Sequence, residues 1–427
     1  MQSVTFHKKQ KGAVIVTVAL VLMFLLGFMG IALDFGRMFI VKTELQTAVD
    51  SCALAAAQEL DGQLTAIARA QSAGLAAGNI NNVNMQSTTW SGQGKLVISS
   101  FTFRDAGYTT PTSAANARYA ECAHTQPNIQ MFLLHILGAF LGNPTELPRQ
   151  QSVGAFAVAT RGSAQTTCPV PVALRPKTAG GVAPNYGYFA GEWITLINAP
   201  RGGSTNGQIG WANLDGSNNA SETQAELNGF CGTTIGSTLG TPGVQATVAD
   251  VWNGRFGIYK NTSSPSQNNP DFTGYAYTAV NWPAGQNAYN GVPGTGAPAS
   301  AQNFVAKRAA FASCADTGTR VKGQNSCESI TGLSLNGGFQ NPLAAPGNAS
   351  GGHKDFGRNR RIVTVSVING ASSVIGFACM LMLQPLSIPM ANARLEFIGN
   401  AGALNSPCAT SGLPGGTAGP LVPVLVR

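Results

Sequence analysis

Four histidines, eight cysteines and eighteen carboxylates are the groups with which this 427-residue chain could do chemistry. Nucleophilic hydrolysis needs a histidine beside a serine and an acid. His7 precedes a long apolar run, and His135 lies inside the apolar stretch Ile129–Leu141, where it reads as a core histidine. His124 follows closely on Cys122, and His353 sits in the Gly-rich basic loop GGHKDFGR. G-x-S-x-G, H-E-x-x-H and G-x-x-x-x-G-K-[ST] are absent from the sequence. Asp215 and Glu192 show no pairing of the kind glycoside hydrolysis uses. A structural zinc needs Cys/His pairs at short spacing, and no C-x-x-C occurs. These residues point to no enzyme, no metal site and no cofactor.

The cysteines point elsewhere. Cys52, Cys122, Cys168, Cys231, Cys314, Cys327, Cys379 and Cys408 all follow residue 34. An even count in an oxidising compartment reads as disulfides, with buried free thiols as the alternative. Eight cysteines allow 105 connectivities. Pairing in sequence order, Cys52–Cys122, Cys168–Cys231, Cys314–Cys327 and Cys379–Cys408, keeps each bridge within one expected domain. The first bridge would tie an N-terminal helix to a sheet.

That helix begins as an apolar run. Residues 13–33, AVIVTVALVLMFLLGFMGIAL, hold no charge in 21 positions. As a helix they span roughly 31 Å, the thickness of a hydrocarbon core. Lys8, Lys9 and Lys11 precede the run, while Asp34, Arg37 and Lys42 follow it, which favours a cytoplasmic N-terminus and an exported bulk. The competing reading is a cleaved signal peptide with Gly30-Ile31-Ala32 as its cleavage site, but signal h-regions are shorter, about 7–15 residues. Ile129–Leu141 is too short to span and is predicted to be a buried core helix.

The helix does not stop at residue 33. Apolar residues fall at Met38, Val41, Leu45, Val49, Cys52, Ala56 and Leu60, one face of a helix, with Lys42, Thr43, Gln46, Thr47 and Asp50 around the rest. No proline occurs before Pro111, and Gly62 suits a C-cap. One helix is therefore expected from about Ala13 to Leu60, its first half suited to lipid and its second to a seat on a globular domain. A second helix is expected within Asp61–Asn79, using Leu64, Ile67, Ala68 and Leu75.

Across this segment the chain resembles the N-terminal part of TadE/TadG-like proteins of the Tad (Flp-type) pilus-assembly system. Gly12, Ala32, Asp34, Gly36, Arg37, Leu45, Gln46, Ala48, Asp50, Ala53, Leu54 and Ala55 carry the resemblance. It is specific over about residues 11–60 and weaker to 160, where SVGAFAVAT (152–160) looks like the family's closing strand. The resemblance implies a single-pass protein of a bacterial inner membrane, with its bulk periplasmic and other pilus-assembly proteins as partners. The chain departs from the pattern twice. Pseudopilins of this system are cut after a glycine and carry Glu at the fifth mature position; after Gly12 that position is Thr17, which favours a retained anchor. Larger TadG relatives carry a metal-binding Asp-x-Ser-x-Ser, and here Asp215-Gly-Ser217-Asn-Asn219 has the wrong third ligand.

Composition agrees with an exported protein. Charged residues make up 10%, against about 25% in soluble proteins generally. The +8 net charge is scattered, with its densest later cluster at Arg358, Arg360 and Arg361; no basic stripe interleaved with aromatics marks a nucleic-acid partner. The expected fold class is α+β. Residues 1–12 are a basic cytoplasmic tail and 13–33 a transmembrane anchor. Residues 34–160 form a pilin-like domain in which the amphipathic helix packs on a small antiparallel sheet. Residues 161–427 form a β-rich exported domain with long Gly/Pro/Asn loops. Strands are expected at Val83–Trp90, Lys95–Arg104, Arg118–His124 and Val153–Thr160 in the first domain. In the second they are expected at Val170–Leu174, Trp193–Ile197, Arg255–Tyr259, Ile362–Ile368, Val374–Leu383, Leu395–Ile398 and Val422–Val426. Aromatics of the second domain, Trp193, Trp211, Trp252 and Trp282 among them, are either core or an interface able to stack on glycans or a cell-surface partner. Three function classes follow: a membrane-anchored structural protein of pilus assembly, a glycan-binding adhesin, and an exported hydrolase.

Overall fold

The computed structural model describes residues 13–85, 95–133, 149–197, 204–227, 229–241, 248, 251–252, 259–260, 339–340, 362–382, 386, 392–408, 410 and 412–426. Three helices are described: α1 (Ala13–Gln58), α2 (Ala66–Ile80) and α3 (Ala220–Leu227). The described strands are β1 (Phe101–Arg104), β2 (Tyr119–Gln130), β3 (Gln150–Ser163), β4 (Val170–Leu174), β5 (Glu192–Ile197), β6 (Ile209–Trp211), β7 (Tyr259–Lys260), β8 (Phe339–Gln340), β9 (Ile362–Ile368), β10 (Val374–Met382), β11 (Ala393–Asn400) and β12 (Leu421–Leu425). They fall into two units, Met1–Arg161 with Pro423–Arg427, and Gly162–Val422.

In the first unit α1 runs unbroken for 46 residues, as the absence of proline and the alanine-rich second half require. Gly62, at φ 82°, turns the chain into α2. Of the residues expected to seat α2, Ile67 and Leu75 pack against the core, whereas Ala68 and Leu64 (80%) are exposed, and the fully buried line is Ala66, Ala70, Gly74 and Gly78. The reason is the closeness of the two helices. A Cβ on Gly78 would lie 3.0 Å from Cys52 Cβ, 3.2 Å from the Ala48 carbonyl and 2.3 Å from Leu96 Cδ1. No leucine fits such a contact, so the small residues take the inside.

The sheet of this unit has the order β1-β2-β3-β12, with β1 and β3 antiparallel to β2. Its inner face is small, with Ala120, Cys122, Ala155, Ala157 and Ala159 buried together with Val41, Leu45, Val49 and Cys52 of α1. Cys52 and Cys122 are bridged, with Cα atoms 6.2 Å apart. The expected strand at Arg118–His124 continues to Gln130. Ile129 and Gln130, predicted to open a core helix, instead pair with Gln151 and Gln150. Pairing with a distant strand, invisible to a local apolar count, decides their conformation; residues 134–141, with His135, lie outside the described residues. A bulge interrupts β2 between Gln126 and Ile129, where Pro127 has no N–H to give and Asn128 takes φ 57°. Residues 83–85 form a bridge and turn rather than the start of a strand, and 86–90 lie outside the described residues. Of Lys95–Arg104 only Phe101–Arg104 is strand, entered through a 3-10 turn at Ile98–Ser100.

The second unit is built on a closed six-stranded barrel, β10-β11-β5-β6-β4-β9. Pairs β4–β9 and β5–β6 are parallel and the others antiparallel. Strands β4 and β9 are buried at every position, which explains their unbroken apolar runs. Closure leaves these strands no free edge. Bridges Cys168–Cys231 and Cys379–Cys408 lie in this unit. The three described bridges are consistent with pairing in sequence order; Cys314 and Cys327 lie outside the described residues. Of the strand expected at Arg255–Tyr259, Tyr259 is described, in the β7–β8 ribbon.

Beside the barrel, the Glu226 carboxylate of α3 is 6% exposed and accepts N–H bonds from Leu214 (2.9 Å) and Asp215 (3.2 Å). Burial nevertheless wins and holds its pKa above the ordinary 4.5. The protonated form therefore contributes stability that is complete below pH 4.5 and lost as pH rises through the folded-state pKa. Glu226→Gln should flatten that decline, read as tryptophan-fluorescence unfolding midpoints between about pH 4 and pH 7. An unchanged slope would show that Glu226 titrates as in the unfolded chain. For the first unit, Gly78→Val should cost about 1–3 kcal/mol by overpacking. Gly36→Ala, whose Cβ meets nothing within 4 Å, should be neutral or mildly stabilising; a urea titration followed by circular dichroism reads both variants.

Candidate functional site

The feature most unlike an ordinary soluble surface is the middle of α1. Among the described residues, this helix is the one long and apolar enough to cross a membrane by length and composition. From Val14 to Met29 its large side chains are exposed; from Val41 onward the same helix is buried against α2 and the sheet. Gly30, Asp34, Arg37, Val41 and Leu45 follow one another at steps of three and four, so one face runs continuously through the change.

At that change the tip of β2 is clipped to α1. Asp34 is 2% exposed, and its two carboxylate oxygens accept the backbone N–H groups of Phe132 (3.1 Å) and Leu133 (2.8 Å). A buried carboxylate must be hydrogen-bonded, and two fixed amides are a strong way to do it. One turn on, Arg37 Nη1 donates to the Gln130 carbonyl (3.3 Å) and its guanidinium lies 5.0 Å from the Phe132 ring centroid. One turn back, a Cβ on Gly30 would lie 2.8 Å from Leu133 Cβ, so glycine makes room for the tip. The bulge at Pro127–Asn128 precedes this tip, and the Met131 N–H closes the hairpin on the Arg149 carbonyl (2.8 Å).

Further along, α1 side chains occupy a strand edge. Val426 N–H donates to the Val158 carbonyl (2.8 Å) where β12 lines β3. Carbonyls of alternate residues point to the same edge, so those of Phe156 and Gly154 continue it toward the tip. There Gln46 Nε2 donates to the Phe156 carbonyl (3.0 Å) and Lys42 Nζ to that of Gly154. Asp34, Arg37, Lys42 and Gln46 thus bind the backbone of the sheet while Val41, Leu45 and Val49 fill its core.

The residues singled out from sequence fare unevenly. Asp34 and Arg37, expected as charged flanks of the apolar run and as residues of the family resemblance, are structural ligands of the β2 tip; their place on the helical line of Gly30, Val41 and Leu45 was the available signal. Lys8, Lys9, Lys11 and Trp282 lie outside the described residues. Trp193, Trp211 and Trp252 are 2%, 3% and 0% exposed in the second unit's core and form no surface; burial of these large apolar rings accounts for them, with Trp211 and Trp252 packed edge to face. Asp215 Oδ1 accepts the Ser217 N–H (2.9 Å) within its own turn, a bond that holds its pKa low. Among the described residues no group of three His, Cys, Asp or Glu side chains is arranged to hold a metal.

Asp34→Ala should strand two amides at a cost of about 1–3 kcal/mol and expose the Phe132 and Leu133 N–H groups to rapid hydrogen exchange. Asp34→Asn, which keeps one acceptor oxygen, should lose less protection. Unchanged exchange at both amides in Asp34→Ala would remove the clip.

No curated protein and no solved structure matches the chain significantly. Residues 12–59, the whole length of α1, match the family of putative Flp pilus-assembly TadE/G-like proteins, and this match supports a role in pilus assembly.

Proposed function

We propose that the chain is a membrane-anchored structural and interaction protein of Tad (Flp-type) pilus assembly. The observation that carries this reading is a single 46-residue helix, about 69 Å long, exposed and apolar in one half and built into a folded unit in the other. Residues 13–33 anchor it in the inner membrane, with Lys8, Lys9 and Lys11 holding the N-terminus in the cytoplasm. The disulfide-bridged bulk lies in the periplasm, the compartment where such bridges persist. The first unit is pilin-like in plan, a long N-terminal helix seated on a small antiparallel sheet, and it meets other pilus-assembly proteins. Its action is mechanical: with no hinge between the halves of α1, a displacement of the anchor is passed to the exported units. Binding of glycans through the second unit is the weaker reading, because three of the four tryptophans it would use are buried.

Replacing residues 1–33 by a cleavable signal peptide should release the protein in soluble form and abolish surface filaments, while the intact chain resists carbonate extraction from membranes. Normal filaments made with the released form would overturn the anchored role.

A further inference from the structure

The apolar surface of the first unit does not end with the lipid-length half of α1. Around the Asp34 clip, Phe132 is 58% exposed and Leu133 37%. On the other side of the helix Phe35 is 46% and Phe39 70% exposed, so large apolar side chains ring α1 at this level. Exposed apolar clusters of this kind mark contact surfaces. The level itself is fixed by packing. Leu133 lies against Gly30, three residues, or about 4.5 Å, inside the end of the uncharged run 13–33. Whatever surrounds the last turn of that run also surrounds Leu133. The cation at this level, Arg37, is turned over the Phe132 ring, an arrangement in which an apolar ring faces hydrocarbon and the guanidinium stays at the polar boundary.

We propose that the β2 tip, Phe132 and Leu133, enters the bilayer beside the anchor and that Phe35 and Phe39 complete the girdle, so that the first unit touches phospholipid at two places rather than hanging from one helix. The occupant is membrane phospholipid: acyl chains against the phenylalanines and Leu133, with Arg37 within reach of the phosphate zone. A second contact fixes the tilt and rotation of the folded unit, which a single span leaves free. The inference rests on the reading of residues 13–33 as a membrane span.

The test uses the full chain in vesicles of phosphatidylethanolamine and phosphatidylglycerol. The photo-crosslinker p-benzoylphenylalanine is placed singly at Phe24, Phe132, Phe39 or Phe156, and the product is weighed after illumination. Phe24→p-benzoylphenylalanine reports the anchor. The Phe156 carbonyl is held by Gln46, 13 residues or about 20 Å beyond Leu33, and that position is the control outside lipid. Phospholipid adducts are expected at positions 24, 132 and 39 and none at 156; position 39 remains informative should the change at 132 disturb the tip. Adducts at 24 alone would overturn the proposal and leave the anchor standing. Adducts at none of the four would overturn both. Adducts at 132 and 39 to protein instead of lipid would assign the girdle to a partner chain and overturn the proposal.

Discussion

One continuous helix has to be stable in two surroundings. In its first half the side chains are apolar and exposed, and beyond the first turn the backbone N–H groups bond within the helix. In its second half the same helix supplies the core of a folded unit. The boundary between the halves needs a polar device that holds the sheet without breaking the helix. Asp34 is that device. It sits on the buried face one turn above Gly30 and one turn below Arg37, and it satisfies its charge with two backbone amides of the β2 tip. An uncharged side chain at this position would give those amides no comparable acceptor. A lysine would have nothing to offer an N–H.

The rest of the first unit follows from closeness. Because Gly74 and Gly78 let α2 press on α1, and alanines line the sheet, the helix lies close enough for Lys42 and Gln46 to reach the carbonyls of β3 and for Cys52 to bond Cys122. A strand edge that would otherwise invite another chain is thereby occupied by side chains of the protein's own helix. The second unit solves the same problem differently, by closing its sheet into a barrel. Both units also carry disulfides, which limit the unfolded chain whatever the packing contributes.

How much of this was legible in the sequence depended on whether the deciding interaction was local. The length and course of α1 could be read from an uncharged run followed by steps of three and four, because periodicity and the absence of proline are properties of adjacent residues. Strands β4, β9 and β10 were visible as short apolar runs between turns. The tip of β2 was not: Ile129–Leu141 is apolar enough for a helix, and the ladder with Gln150 and Gln151 that makes Ile129 and Gln130 a strand is invisible to a local count. On α2, Ile67 and Leu75 pack against the core as expected but Leu64 does not, since hydrophobicity favours Leu64 while the closest approach to α1 admits only Ala and Gly. Closure of the barrel depends on pairing β4 with β9 and β5 with β11, strands more than a hundred residues apart in sequence. At the candidate site the sequence placed Asp34 and Arg37 beside the apolar run but not what they hold, because their ligands are backbone groups that leave no mark on residue type.

The central claim is that α1 passes through residues 33–38 as one rigid helix. A distance measured between spin labels at the exposed positions Phe24 and Thr47, in the full chain in lipid nanodiscs, addresses it directly. The labels are 23 residues apart, and an unbroken helix sets them about 35 Å apart in a single narrow distribution. That distribution is the expected result. A broad distribution, or one centred well below that distance, would show a hinge between the apolar run and the folded unit and would contradict the mechanical coupling.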